Sequence, residues 1–476
     1  MQKASPLLSS VVVCRTHQGE EITADILRLR RYSAAFEVYD PNSILQVSEV
    51  LREFRIRVGD KLVYDGKAVI SGLINTGTVQ ICEVTLGDKW RDSSPVDEPA
   101  PPVNLEDQFG AFLQDWKRAN TVDNAFKVSV ADMESMLVGL KRWLDQVELA
   151  VRSTPSSNDA EREVLEKIKE RVRAEAHGIM HEFQTAVGLV PEGSEANHKF
   201  YARRQIHPLV LCSPFTYRTF HKPLGYAGDY EMVNMMMRDS FEGGSLFARA
   251  INDAFLETPP VHAHRNRIDY LCDMIRGEVR RKAETGQKTR ILNLGCGPAH
   301  EVQHFLAHED LSDLCAFNLL DFNTETIRHT EGRLTELLRQ HGRVGSVNFL
   351  ERSVQELIRQ DHRGDPDLPW ESFDVVYCAG LFDYLSQRVC KKLVDVYSRL
   401  LRPGGLLVVT NVSMANPDKA WMEYILEWNL IYRDKEGMRE LVPGSTVPLQ
   451  AEVKEDATGV NYFLEIRKSA MNGGRT

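Results

Sequence analysis

Between residues 7 and 86, short apolar runs rich in Val, Ile, Tyr and Phe alternate with turn residues. Residues 6–14, 35–39, 54–58, 61–64, 68–74 and 79–86 each read as strands. Asp65-Gly66 separates two of them and is a hairpin signature, because both residues tolerate positive φ. Short strands at this spacing predict a small antiparallel barrel. The pattern then changes. Residues 92–103 place Pro95, Pro99, Pro101 and Pro102 among Asp92, Asp97 and Glu98, and read as a semi-extended linker. Beyond them, apolar residues recur at steps of three and four, first at Phe109, Phe112, Leu113 and Trp116, then at Met133, Met136, Leu137, Leu140, Leu144 and Val147. Both stripes predict amphipathic helices, and a charged helix follows over 160–187. From Arg290 onward, apolar strands alternate with helical patterns, which marks βαβ units and a parallel sheet. The expected division is a barrel over 1–91, a linker over 92–103, a helical region over 104–190, a substrate or cap segment over 191–265 and a sheet domain over 266–470.

The first strand of that sheet domain, 291–294, enters a turn with Gly295 and Gly297 and then a helix from about Ala299 (RILNLGCGPAHE). Glycine is needed where backbone approaches a ligand or takes dihedrals that a Cβ forbids. A dinucleotide fingerprint would require a third glycine where His300 stands. A second strand, 316–320, ends in Asp321, an acidic residue able to accept both hydroxyls of a ribose lying across the strand ends. A third, 347–350, leads into Glu351-Arg352-Ser353-Val354, and a fourth, 373–378, opens into Ala379-Gly380-Leu381-Phe382-Asp383-Tyr384. A helix over 387–401 meets Arg402-Pro403-Gly404-Gly405 before a fifth strand, 406–411. Two last strands, 448–453 and 460–466, read as an antiparallel hairpin closing the sheet edge.

This run resembles the core of the class I S-adenosylmethionine (AdoMet)-dependent methyltransferases over roughly 268–468. It matches their first motif at Asn293, Gly295 and Gly297, the acidic end of strand two at Asp321, the F-D-V-V segment of strand four and the R-P-G-G turn before strand five. It departs at Ala299, where many members carry another glycine. The resemblance implies an α/β fold: a Rossmann-like, mostly parallel sheet with a C-terminal antiparallel hairpin, beside a helical region and an N-terminal β-barrel. It also implies AdoMet contacts at Asn293, Gly295, Cys296, Gly297, Asp321, Phe322, Ser353, Val354, Cys378 and Ala379. The plain alternative is a Rossmann-like domain without a cofactor.

Charge and cysteine usage narrow the partners. With 58 Lys plus Arg against 68 Asp plus Glu, the formal charge of -10 is opposite to what counterion release from nucleic acid exploits. The eight cysteines form no C-x-x-C pair, as in a chain kept reduced in the cytosol. No apolar run approaches the roughly 20 residues that span a bilayer, so the expected address is cytoplasmic. His262-Ala263-His264 has no third ligand at a useful spacing, and no metal is expected.

Methyl transfer from a sulfonium is an in-line displacement that asks for alignment and exclusion of water. A hydroxyl or amine acceptor needs a base; a carboxylate, already ionised at neutral pH, needs only a polar clamp. The candidate clamp is 217–230 (YRTFHKPLGYAGDY), read as a loop from Pro223, Gly225 and Gly228. In it Arg218 would hold a carboxylate, Tyr226 or Tyr230 would donate to it, and His221 would be the base for other acceptors. Asp383, on the strand-four loop, is a base, an acceptor-positioning group or a helix cap. Met232, Met235, Met236 and Met237 read as a core-facing helical stripe, with a lipid-lining face as the alternative, and Cys296 and Cys378 as small apolar fillers.

Two narrower resemblances follow. YRTFHKPLGYAGDYEMVN and AHRNRI resemble the bacterial extracellular factor, 3-hydroxypalmitic acid methyl ester biosynthesis proteins, which implies a carboxyl O-methyltransferase acting on a hydroxy fatty acid to make a cell-density signal. The N-terminal barrel resembles PilZ-type domains. Their R-x-x-x-R signature is absent: Arg28, Arg30 and Arg31 are followed four residues on by Tyr32, Ala34 and Ala35. Asp40-Pro41-Asn42-Ser43 is the nearest approach to their second motif, so cyclic di-GMP is not expected. Rival readings are a methyltransferase for an amine or hydroxyl, using His221 or Asp383 as base, and a regulatory AdoMet-binding protein without turnover. The stripe over 104–187 also suits a homodimer.

Overall fold

The computed structural model describes residues 10–17, 19–38, 45–58, 61–75, 80–87, 90, 106, 109–110, 113–114, 117, 121–153, 159–284, 286–360, 366–444 and 449–470. The expected linker, the Asp40–Ser43 segment and, of the Phe109–Trp116 stripe, Phe112 and Trp116 lie outside these residues. The chain divides into two compact units, one of 1–227, 240–256 and 417–429, the other of 228–239, 257–416 and 430–476.

The first unit contains a closed antiparallel barrel in the order β1-β2-β3-β6-β5-β4. Its strands are β1 (Ser10–Arg15), β2 (Glu21–Arg30), β3 (Ser33–Val38), β4 (Val50–Val58), β5 (Lys61–Asn75) and β6 (Gln80–Leu86). Alternation along each strand buries Val12, Phe36, Phe54, Ile56, Tyr64, Ile70 and Val84 in its interior. Asp65-Gly66 is not a hairpin. Both residues lie inside the single long β5, where Asp65 pairs with Arg55 and Gly66 with Phe54. Gly66 is not in a left-handed conformation. A Cβ there would meet the Tyr64 hydroxyl at 3.0 Å, so packing of that ring, and not a turn, uses this glycine.

The helices of this unit are α1 (Asn124–Arg152), α2 (Asp159–Gly188), α3 (Glu195–Val210) and α4 (Pro214–His221), together with Leu246–Leu256. Asp123 caps α1 by accepting from the Ala125 and Phe126 amides, and the stripe read from the sequence buries Met133, Leu137 and Leu144. The segment expected as a loop from residue 217 is helical up to His221. Ser213 caps α4, Pro214 begins it, and Lys222 ends it in a left-handed conformation (φ 46°).

The second unit is built on a seven-stranded sheet in the order β12-β13-β11-β10-β7-β8-β9. The strands are β7 (Thr289–Leu294), β8 (Cys315–Asp321), β9 (Ser346–Glu351), β10 (Phe373–Cys378), β11 (Leu401–Val412), β12 (Leu449–Glu455) and β13 (Asn461–Lys468). The first five are parallel, whereas β13 runs antiparallel to β11 and β12 to β13. This is the sheet, with its closing hairpin, that the sequence pattern predicts. Apolar strands buried on both faces fit a sheet covered by helices, here α6 (Pro259–Ala283), α7 (His300–His308) and α8 (Thr324–Gln340), among others. A short α5 (Tyr230–Met237), capped by Asp229, buries Met232, Met235 and Met236.

Buried Asp374 explains the F-D-V-V motif. It accepts from the Arg290 amide at 2.9 Å and pairs with Lys282 at 2.8 Å and Arg402 at 3.2 Å, joining β7, α6 and β11. The R-P-G-G turn is looped out beside it, so that Phe373 pairs with Leu401 but Val375 with Leu406. A Cβ on Gly405 would lie 2.9 Å from the Arg402 carbonyl oxygen and 3.1 Å from that of Asp374. Backbone at that distance cannot rotate away. Gly405→Ala is therefore expected to cost about 2 kcal/mol in urea unfolding; an unchanged midpoint would contradict this packing.

Candidate active site

The first motif folds as a left-handed staircase. Gly295 (φ 67°), Gly297 (φ 51°) and Ala299 (φ 51°) all have positive φ. Ala299, the position where the family pattern often has glycine, takes the strained conformation despite its Cβ, at a cost on the order of 1 kcal/mol. The neighbouring strand pins the staircase. The Gly295 and Cys296 amides donate to the Leu320 carbonyl at 2.8 and 3.0 Å, and the Gly297 amide donates to Asp321 Oδ2 at 3.1 Å. The Ala299 amide donates to the Cys296 carbonyl at 2.9 Å. Residue 298 is proline, so the amides of this turn are spent inside the chain. A turn without free amides is no phosphate cradle. It suits a nucleoside without phosphates, as the missing third glycine also suggests.

Asp321 ends β8 and is buried; Oδ1 accepts from the Asn323 amide at 3.0 Å. Burial raises its pKa, opposed by its backbone hydrogen bonds. A carboxylate offers about four lone pairs, and two amides leave capacity for a ribose. Asn293 is committed elsewhere: its Nδ2 donates to Glu301 Oε1 at 2.9 Å, and the Tyr377 hydroxyl donates to the same oxygen at 2.8 Å. This buried carboxylate ties β7, β10 and α7 together, and burial raises its pKa. Phe322 follows Asp321 and is partly exposed. Ser353 caps the helix Val354–Gln360 by accepting from the Glu356 amide at 3.2 Å, and Val354 is buried at its start. Cys296 and Cys378 are buried thiols with raised pKa values from burial, fillers as expected, and Ala379 is partly exposed beyond β10.

The expected clamp residues fall in both units. Arg218 and His221 lie on α4 and Tyr226 follows it, all in the first unit; Tyr230 and Asp383 belong to the second. The His221 ring lies 4.1 Å from that of Tyr217 between centroids, tilted by 41°, and burial lowers its pKa. Tyr230 begins α5 and donates to Glu325 Oε1 at 2.8 Å. Asp229, grouped with these by sequence, is a helix cap. From α5, Asn234 accepts from His300 Nε2 at 2.9 Å and donates to Glu231 and His329. Burial pushes His300 down to about 4.

Asp383 sits in a short 3-10 turn and accepts from the Val412 amide at 2.6 Å. Burial raises its pKa to about 6, against the lowering influence of that hydrogen bond and of Arg267 and Arg433. Arg433 is fully engaged with the carbonyls of Phe382 and Leu385 and with the Gln387 side chain. Arg267, on α6, lies in the AHRNRI run, where no site role was expected of it. Its partly buried guanidinium lies against the strand-four loop, 3.1 Å from where a Cβ on Gly380 would stand, with Asp383, Tyr384 and Glu301 as its charge neighbours. Gly380 has φ 97° and admits no side chain there on either count. Besides that run, a sequence signal is the three-residue step from His264 to Arg267, which puts both on one helix face. His264 is buried whereas His262 is 43% exposed, and among the described residues no cluster fit for a metal occurs. No described helix is long and apolar enough to cross a membrane.

Residues 292–407 match a methyltransferase domain family. No curated protein matches the chain. Similar solved structures include a "possible exported protein" from Bordetella parapertussis, at 15% identity over 67% of this chain and 99% of that one, with TM-score 0.38. Another is magnesium protoporphyrin IX methyltransferase from Synechocystis PCC 6803 with bound SAH, at 9% identity over 57% and 99%, with TM-score 0.34. A third is a SAM-dependent methyltransferase from Methanosarcina mazei, at 16% identity over 39% and 94%, with TM-score 0.28.

Two residues make this geometry testable. Asp321→Ala should weaken AdoMet binding by about 2 kcal/mol in calorimetry, through lost hydrogen bonds to a ribose; unchanged affinity would refute the assignment. Because the fold raises the Asp383 pKa from 3.8 to about 6, its contribution is full below pH about 4 and is lost as pH rises through about 6. Asp383→Asn should remove that decline, worth up to about 3 kcal/mol; urea titrations of both proteins at pH 4 and 7 with parallel pH dependence would exclude it. The matched family and the strand order identify a methyltransferase domain within the second unit, over residues 292–407.

Proposed function

We propose that this chain is a carboxyl O-methyltransferase that converts a small or 3-hydroxy fatty acid into its methyl ester. Asp321 would hold the ribose of AdoMet, with Gly295, Cys296 and Gly297 against the nucleoside, Phe322, Ser353 and Val354 on its adenine side, and Asn293, Cys378 and Ala379 near its methionine end. Bound there, AdoMet supplies an electrophilic methyl group on a sulfonium. The protein's own part is to aim a carboxylate oxygen at that carbon and to keep water out. No proton need be removed first.

The observation that carries this reading is Arg267. A guanidinium beside the strand-four loop offers five N–H donors, and its hydrogen bond among the described residues goes to a histidine, not to a carboxylate. Two other titratable groups are occupied in holding the site: Glu301 by Asn293 and Tyr377, and His300 by Asn234. Such a site is equipped to orient an anion. The sequence likeness to hydroxy fatty acid methyl ester biosynthesis proteins supports the same acceptor, and with it a cytoplasmic enzyme whose PilZ-like barrel serves interaction and does not bind cyclic di-GMP.

One observation favours a second reading. A carboxyl with a pKa of about 6 is well placed for a general base, so Asp383 would serve an amine or hydroxyl acceptor. The readings separate on incubation with labelled AdoMet and cell extract, followed by mass spectrometry. A base-labile methyl ester, with Asp383→Asn retaining kcat within a few-fold, is the expected result. A labelled amine or ether, with kcat falling by roughly 10²–10⁴ in that variant, would overturn it.

A further inference from the structure

Residues 228–239 belong to the second unit, although the chain on either side of them belongs to the first. They carry α5, whose eight residues are too few for a helix that is stable alone, so its contacts decide whether it stays docked. One side of α5 is methionine. Met232, Met235 and Met236 are buried, α5 packs on α6, and Arg265 donates to the Met236 carbonyl at 2.9 Å. Thioether side chains tolerate shifts of position that branched ones do not. Tyr230 and Asn234, four residues apart on another side of the helix, make polar contacts instead.

Those contacts have a common location. The Tyr230 hydroxyl donates to Glu325 Oε1 in the first turn of α8 at 2.8 Å, and its ring lies 4.5 Å from that of His329 between centroids. Asn234 accepts from His300 Nε2, at the start of α7, at 2.9 Å and donates to His329 Nε2 at 3.2 Å. At the head of the segment, a Cβ on Gly228 would stand 2.7 Å from the Tyr384 hydroxyl, on the loop after β10. Now α7 follows β7 and α8 follows β8, and β10, β7 and β8 are neighbours in the sheet. The segment therefore runs across the carboxyl ends of three adjacent strands, the end at which open α/β sheets take their ligands. The middle strand carries the glycine turn. His300 stands three residues beyond Gly297, and Glu325 four beyond Asp321.

We propose that residues 228–237 form a strap that closes over bound AdoMet and must lift to admit or release it, with Asn234 as the positioning residue that latches the strap to α7 and α8. The inference rests on the cofactor placement proposed above and is independent of the acceptor. A strap latched with or without ligand slows entry and exit alike. Loosening the latch therefore speeds both, whereas losing a contact that merely supports the bound state speeds exit alone.

Surface plasmon resonance of S-adenosylhomocysteine on the immobilised full-length protein reads the two rates. Asn234→Ala should raise kon and koff each by about tenfold, the loss of two hydrogen bonds, and change Kd by less than either. A raised koff with kon unchanged, or two unchanged rates, overturns the proposal. Should Asn234→Ala fail to fold, hydrogen exchange of the wild type decides: saturating S-adenosylhomocysteine should slow exchange of the amides of residues 230–237 at least tenfold, and no slowing there refutes the strap. Asp321→Ala separates the two layers. Affinity that ignores Asp321 defeats the cofactor placement; affinity that depends on Asp321, with association indifferent to Asn234, defeats the strap alone.

Discussion

The glycine turn after β7 cannot hold its shape alone. Three left-handed residues in five, one of them an alanine, form a backbone that relaxes unless something outside it over-determines it. That support is the end of β8, where the Leu320 carbonyl and the Asp321 carboxylate take up the amides of Gly295, Cys296 and Gly297. Parallel pairing of Leu294 with Leu320 sets the two strand ends level and makes these bonds reachable. Spending the amides inward removes the anion affinity that glycine turns often have, leaving a shaped, uncharged bend beside one buried carboxylate. A nucleoside carrying a sulfonium fits such a bend; a pyrophosphate does not.

Charge is distributed around this bend with similar economy. Asp374 binds its cations at the amino end of the strands, where it fastens β7, β10 and β11 without touching the chemistry. At the carboxyl end, Glu301 and Asp383 are locked into hydrogen bonds that position strands and turns, and among the described residues Arg267 hydrogen-bonds only to His264. Transfer of a methyl cation to a carboxylate ends in two neutral products, so a site of low polarity favours it, and a nearby cation serves to orient the anion.

What can be read from sequence is what depends on local pattern. The run from Phe373 to Cys378 is a strand buried along its whole length, and apolar continuity announces it with the correct ends. The Asp at the end of β8 and the R-P-G-G turn are equally plain, because strand ends and glycine pairs have few alternative uses. Asp65-Gly66 misleads because the dipeptide is ambiguous until the register of β4 is known; there the missing Cβ makes room for Tyr64. Pro223, Gly225 and Gly228 correctly mark a break, but Ser213-Pro214 upstream is a helix start that outweighs them as far as His221. Arg267 is hidden for a different reason. Its neighbours lie on the loop after β10, more than a hundred residues away in sequence, which neither the AHRNRI run nor a three-residue helical step announces. The histidines at 262 and 264 have the look of a ligand pair, but positions two apart on a helix face different ways.

Everything turns on where the nucleoside lies. A crystal structure of the full chain with S-adenosylhomocysteine is predicted to place the ribose hydroxyls on Asp321, with the nucleoside against Gly295 and Gly297. Density for the ligand anywhere else, or a turn that stays closed around Asp321 under saturating ligand, would contradict it.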